Sequence, residues 1–94
     1  MVAKDRKQWG QWRYSHETQA LDFQGDVPYQ VALDRCQTAG QIVDWLLQLA
    51  GKGWETPEDL GHFVMALQDL SSGKLQATLA RGETFDWAAH LRGG

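Results

Sequence analysis

The sequence predicts an α+β fold: a three-stranded, at most four-stranded, antiparallel meander with two amphipathic helices packed on one face. Three observations lead to this class. Apolar residues alternate with period two before residue 34, they recur at helical spacing between residues 38 and 70, and a start signal precedes each helix. The 94 residues, 43% of them hydrophobic, are expected to form a single domain over residues 1–94. A basic tail over residues 1–8 and a frayed end over residues 92–94 complete this prediction.

Three strands are expected in the first third of the chain, over residues 11–15, 20–24 and 29–33. The residues that share one face of each alternating run are Trp12, Tyr14 and His16, then Leu21 and Phe23, then Val27, Tyr29, Val31 and Leu33. Pro28 has no backbone donor, which places it at the start of the third strand or on a sheet edge. A glycine in residues 24–26 favours a tight turn there, so the three strands form a meander.

Each of the two helices has an explicit start signal. Thr38 and Gln41 have the spacing of a capping box, in which each side chain bonds a free backbone amide at the start of the helix. Thr56 precedes Pro57 and two acids, which suit the first turn of a helix and the positive end of its dipole. The helices are therefore expected to begin directly after Thr38 and Thr56.

The spacing of apolar residues predicts helices over residues 39–50 and 57–70, and glycine or serine follows each of them. Val43 and Leu47 widen the apolar stripe of the first helix beyond that of a simple surface helix. The residues expected to share one core are Ile42, Trp45, Leu46, Phe63, Val64 and Leu67.

The last twenty residues leave two interpretations open. Residues 75–80 alternate as a fourth strand would, and they fit a helix nearly as well. Thr84 is placed to cap a short C-terminal helix over residues 85–91.

Composition narrows the classes of protein that the chain can represent. Cys36 is the single cysteine, so an internal disulfide is excluded and a reducing compartment is favoured. No apolar run approaches the ~18 residues of a membrane span, and residues 4–7 near the N-terminus are all charged, unlike a signal peptide. We therefore expect a cytoplasmic protein with no membrane partner.

No group of residues has the spacing of a reaction centre. His16, His62 and His90 are far apart in sequence and do not combine with Cys36 into a zinc set. Glycine-rich phosphate loops are also missing from the sequence. We therefore predict no catalytic residue, no bound metal, no cofactor and no enzyme activity.

The linker between the two helices contains the residue most suggestive of binding. Trp54 either folds back as a plug over the helices or stands exposed as the anchor of a protein interface, where tryptophan is enriched. In the second case its neighbours would form the rim of the interface. The candidate partner-binding residues are Lys52, Trp54, Glu55, Glu58 and Asp59.

The alternative binding site lies near the N-terminus, where basic and aromatic residues alternate as they do in proteins that bind single strands. Four basic residues and one acidic residue give the first thirteen positions a net charge of +3, and the remaining chain carries −6. The candidate nucleic-acid residues are Arg6, Lys7, Trp9 and Arg13. Two points weigh against them: the acidic body would repel phosphates, and Trp12 and Tyr14 suit the core.

A dispersed pattern runs through about forty central positions: Leu33-Asp34-Arg35, Thr38, Asp44-Trp45, Gln48, Lys52, Trp54, Thr56-Pro57-Glu58 and Asp69-Leu70. This pattern resembles a family of short bacterial proteins of phages, plasmids and other mobile elements, to which no activity is attached. The stretches before Trp12 and after Ser72 lie outside it. The resemblance implies a compact helper or modulator protein and transfers no catalytic residue.

Two function hypotheses result. The first is a small non-enzymatic protein-binding module, a modulator or inhibitor of a larger host complex, of which anti-CRISPR-like activity would be one instance. The second is a nucleic-acid-associated protein that uses the basic, tryptophan-rich N-terminal strand.

Overall fold

Alternating side chains build a four-stranded antiparallel sheet. The computed structural model describes residues 8–25 and 27–93. The strands pair in chain order and are β1 Gln8–Trp9, β2 Trp12–Ser15, β3 Ala20–Phe23 and β4 Tyr29–Ala32. The α+β class and the antiparallel meander are confirmed, and each of the three predicted strands is one residue shorter than expected. The turn predicted over residues 24–26 includes Asp26, which lies outside the described residues.

The fourth strand of the sheet is β1, which the sequence analysis assigned to no strand. Its Trp9 pairs with Trp12 across a turn at Gly10, whose φ of +59° favours glycine. A Cβ at Gly10 would also overlap the His62 ring on the second helix. Gln8, placed in the predicted tail, pairs with Arg13, so the sheet begins at Gln8, and residues 1–7 lie outside the described residues.

The two faces of the sheet differ in polarity because side chains alternate along each strand. The covered face carries the buried side chains of Trp9, Trp12, Tyr14, Leu21, Phe23 and Val31. The outer face carries a polar row across paired positions of all four strands: Gln8, Arg13, Asp22 and Gln30. Within this row Gln30 Nε2 donates to Asp22 Oδ1 at 2.9 Å.

The two long helices have the predicted bounds, α1 Ala39–Ala50 and α2 Pro57–Leu70. Both capping boxes are formed. The hydroxyl of Thr38 accepts from the Gln41 amide at 3.2 Å, and that of Thr56 accepts from the Asp59 amide at 3.1 Å. Each box satisfies amide groups that would otherwise have no partner in the first turn.

Two short helices follow α2 in the described residues, α3 Lys74–Ala80 and α4 Trp87–Gly93. The strand interpretation of residues 75–80 is therefore wrong. Two contacts explain the helix: Leu75 is buried, and its amide donates to the Ser71 hydroxyl at 3.1 Å. The short C-terminal helix is confirmed, but Asp86 caps it in place of Thr84, since Oδ1 of Asp86 accepts from the Ala89 amide.

The core lies between the covered face of the sheet and the helices. Phe63 and Leu67 of α2 are buried in it as predicted, and Trp12 packs on Phe63 with ring centres 5.1 Å apart. The partly buried Ile42, Trp45 and Leu46 pack against this core. Val64 is the exception: 39% of it is exposed, because it lies at the edge of the buried stripe of α2.

Gly61 offers a direct test of the helix assignment. It lies inside α2, it is exposed, and a Cβ added there meets no atom within 4 Å. Gly61→Ala is therefore expected to raise the free energy of unfolding by about 0.5–1 kcal/mol, because alanine costs less backbone entropy in a helix than glycine. Urea denaturation measures the effect. A lower midpoint would show that residue 61 is not in an exposed helical position.

Candidate binding surface

The linker between α1 and α2 folds back onto the end of the sheet. The Trp54 ring packs on Phe23 and on Tyr29, with ring centres 5.2 and 5.6 Å apart. Phe23 and Tyr29 are paired residues of β3 and β4. Lys52 places its ammonium over the Tyr29 ring, 5.1 Å from the centre, in a cation–π arrangement. The half-buried Trp54 thus has the geometry of a plug, and part of its surface is exposed.

The acidic residues of the predicted interface rim occupy three different environments. Glu58 is exposed at the start of α2. Asp59 is only 4% exposed and belongs to the capping box. Glu55 is half-buried, and both of its carboxylate oxygens are buried without a hydrogen-bond partner among the described residues. Of the three, Glu58 alone has the exposure that a rim requires.

Asp59 is held by residues from two parts of the fold. Its carboxylate accepts from the Thr56 amide at 3.1 Å and from Gln11 Nε2 at 3.3 Å. Its backbone carbonyl accepts from Trp12 Nε1 at 2.9 Å. Burial opposes ionisation of Asp59, but the hydrogen bonds from Thr56 and Gln11 outweigh it, and the pKa of Asp59 is lowered. Asp59 therefore joins α2 to the β1–β2 turn.

The three helices α1, α2 and α3 line an apolar groove of about 510 Å³. We call it the helical groove; its apolar lining is Ile42, Val64, Leu67, Leu75, Leu79 and Ala80. Its polar lining is neutral: Gln68 Nε2 donates to Gln76 Oε1 at 2.7 Å. The groove therefore offers apolar contact area with no charged group in its lining.

The outward part of α1 is also apolar. Val43 and Leu47 lie one turn apart, so they share a face of the helix, and they are 52% and 67% exposed. We call this pair the α1 stripe. The sequence showed that the apolar stripe of α1 is wide. Helical periodicity alone did not show which side of the stripe other elements would cover. The groove and the α1 stripe are the binding features that sequence reasoning missed.

The fold places the described residues of the N-terminal candidate site, Trp9 and Arg13, in different environments. Trp9 is fully buried, and its Nε1 donates to Asp69 Oδ2 at 2.7 Å, so its ring is not available to stack on a base. Arg13 is exposed on the outer face of the sheet, and its paired neighbour on β3 is Asp22. Arg6 and Lys7 lie outside the described residues. Of the described candidates, Arg13 alone is placed to contact a phosphate.

The described residues contain no group of three or more potential metal ligands.

Burial, together with the charge of Asp34, raises the pKa of the Cys36 thiol to about 12. This thiol is fully buried and donates to the Ala32 carbonyl at 3.8 Å. His90 lies at the C-terminal helix, with Nε2 2.9 Å from the Leu70 carbonyl oxygen.

Comparison with protein-family models, with curated proteins and with solved structures gave no match to this chain. The resemblance to short proteins of mobile elements therefore stays a prediction. Among the described residues, no helix combines the length and the apolar character that crossing a membrane requires.

Proposed function

We propose that this chain is a small non-enzymatic protein-binding module whose binding surface consists of the helical groove and the α1 stripe. The observation that carries the proposal is the uncovered apolar surface of the helices. Val43, Leu47, Val64 and Met65 are all at least 39% exposed, and the groove beside Val64 is lined by apolar side chains. Large exposed apolar patches on folded domains commonly mark interaction sites.

The partner that suits this surface is an amphipathic helix. The groove lies between helices, and its lining is apolar with a neutral amide pair. An amphipathic helix places apolar side chains at positions i, i+3, i+4 and i+7, which fill such a groove while its polar face stays in water. Within this proposal, modulation of a larger host complex is the role that the family resemblance implies, and anti-CRISPR-like inhibition is one instance of it.

The chemistry of the described residues supports a non-enzymatic role. At neutral pH the Cys36 thiol stays protonated, because its pKa is raised to about 12, and it is therefore a poor nucleophile. His16 is exposed at the end of β2, and its Nδ1 lies 3.5 Å from the Tyr14 hydroxyl. Neither arrangement has the base and nucleophile in contact that covalent catalysis uses.

A pair of matched valines tests the proposed surface. Val64 in the groove and Val27 in the loop between β3 and β4 are 39% and 41% exposed. Val64→Glu is expected to weaken capture of a partner by about tenfold or more, because it places a charge in an apolar contact. Val27→Glu is expected to leave capture unchanged. The measurement compares proteins retained from a nuclease-treated bacterial lysate by the wild type and the two variants, each first shown to be folded.

Equal retention by Val64→Glu and Val27→Glu would contradict the groove as the binding surface. The salt dependence of capture distinguishes the nucleic-acid hypothesis from the protein-binding hypothesis. Binding through contacts to phosphates weakens steeply as the salt concentration rises, whereas binding through apolar contacts changes little. Capture that is found only in lysate without nuclease treatment, or that is lost in high salt, together with loss of capture in Arg13→Glu, would favour the nucleic-acid hypothesis instead.

A further inference from the structure

The outward face of α1 has the spacing of a seam between two helices. Gly40, Val43, Leu47 and Ala50 follow one another at intervals of three, four and three positions, and all four are exposed. This spacing places them in one line along the helix, like the a and d positions of a coiled coil. Val43 and Leu47, the α1 stripe, supply apolar contact in the middle of this line, and the small residues at its ends let a second helix approach closely.

One flank of the α1 stripe is apolar and the other is acidic. Ile42, on the apolar flank, lines the helical groove. Asp44 lies on the other flank, next to Val43 in the sequence and three residues before Leu47, and it is exposed. Among the described residues, no ion pair involves Asp44. A helix that packs on the stripe therefore meets apolar side chains on one side and a carboxylate on the other.

The two long helices contribute no positive charge to this surface. Neither contains a lysine or an arginine, whereas together they contain four acidic residues: Asp44, Glu58, Asp59 and Asp69. A polar cleft of about 160 Å³ lies beside Asp44 and is lined by Arg35, Gln41, Trp45 and Gln48 in addition to Asp44. The helical positions of Gln41 and Gln48 place this cleft on the side of Asp44 that faces away from the stripe.

We propose that Asp44 determines which helix binds to the α1 stripe: the occupant is an amphipathic helix with a lysine or arginine beside its apolar seam. The inference rests on the proposed binding function and adds the charge of the partner to it. A basic side chain beside the seam is attracted by Asp44, whereas an acidic one is repelled. Charged residues that flank the apolar seam of a coiled coil select its partner in the same way.

A second copy of this chain suits the stripe less well than a basic helix does. In a symmetric pair each copy uses the same surface, so residues near the two-fold axis meet their own counterparts. Asp44 lies in the middle of α1, so pairing of α1 with its copy brings two like charges together. Their repulsion disfavours self-association through the stripe.

Two synthetic peptides test the role of Asp44. Each is a helix of about three heptads, long enough to form in water, with leucine at every a and d position. The flanking e and g positions are lysine in one peptide and glutamate in the other, and these like charges also keep each peptide from pairing with itself. Nitrogen-15 NMR of the full chain at low salt measures both affinities and shows whether the signals of Val43 and Leu47 shift on binding.

We expect the wild type to bind the lysine peptide about threefold or more tightly than the glutamate peptide, and added salt to reduce this difference. Asp44→Lys is expected to reverse the preference. Glu17→Lys is the matched control, because it makes the same change in net charge at an exposed position between β2 and β3. It should leave the lysine peptide as the tighter ligand. Circular dichroism first shows that each variant is folded.

The outcomes separate this inference from the proposed function. Equal affinities for the two peptides, or an unchanged preference in Asp44→Lys, would overturn the role of Asp44, while shifted signals of Val43 and Leu47 would still support the surface. Absence of binding by both peptides would contradict the inference and the proposed function together. Sedimentation velocity of the free chain completes the test, since a dimer that Leu47→Glu abolishes would make a second copy the occupant and overturn the inference.

Discussion

Replacing Leu67 by alanine is expected to lower the free energy of unfolding by about 2–5 kcal/mol. Leu67 is 1% exposed, it lies between Phe63 and Leu70 on the buried side of α2, and its other edge forms part of the helical groove. The alanine leaves a cavity in the middle of the layer that joins the helices to the sheet. A domain of this size has a total stability of about 5–15 kcal/mol, so the loss is a large fraction of it.

Urea denaturation gives the measurement, as a lower midpoint with an unchanged slope. Val64→Ala is the control on the same helix. It removes apolar atoms from a side chain that is 39% exposed, so its expected cost is about 1 kcal/mol or less. Equal midpoints for the wild type and Leu67→Ala would contradict the packing of α2 described above.

The elements whose bounds the sequence predicted correctly are those with start signals formed by residues close together in the sequence. A capping box involves residues three apart, so the starts of α1 and α2 after Thr38 and Thr56 were predictable without any tertiary information. The same holds for the central strands, whose alternation fixes the covered face. These signals depend only on residues close together in the sequence, so they do not depend on which elements pack against the helix or strand.

The elements that the sequence left open are decided by contacts far apart in the chain. The helix α3 forms where Leu75 is buried and the Ser71 hydroxyl accepts its amide, although residues 75–80 also alternate as a strand would. The strand β1 is only two residues long, and its Trp9 is fixed by Asp69, sixty residues away. Neither interaction leaves a periodic pattern.

The candidate site was predicted less well than the fold for a related reason. Hydrophobic periodicity shows that α1 has a wide apolar face, but coverage of Val43 and Leu47 depends on how far α2 and α3 extend across it. Asp59 shows the reverse case. Its place in the first turn of α2 follows from the sequence, yet its burial depends on Gln11 and Trp12 from the sheet.

Trp54→Ala is expected to lower the free energy of unfolding by about 3 kcal/mol, the lower end of the range for a large aromatic residue, because Trp54 is half-buried. The variant removes the ring that covers Phe23 and Tyr29 and uncovers the end of the sheet. Trp54→Phe is the matched control. It keeps an aromatic ring over both neighbours, so it should recover most of the lost stability.

The decisive form of this experiment pairs a melting curve with a binding isotherm on the same Trp54→Ala protein, using a partner that the wild type has captured. A plug predicts a large loss of stability with normal binding by the molecules that remain folded. An interface anchor predicts the reverse, a loss of binding of about 2 kcal/mol or more with little change in stability. The ring contacts of Trp54 with Phe23 and Tyr29 favour the first result. If the second is found instead, the linker is a binding surface, and Lys52 and Glu58 become its rim.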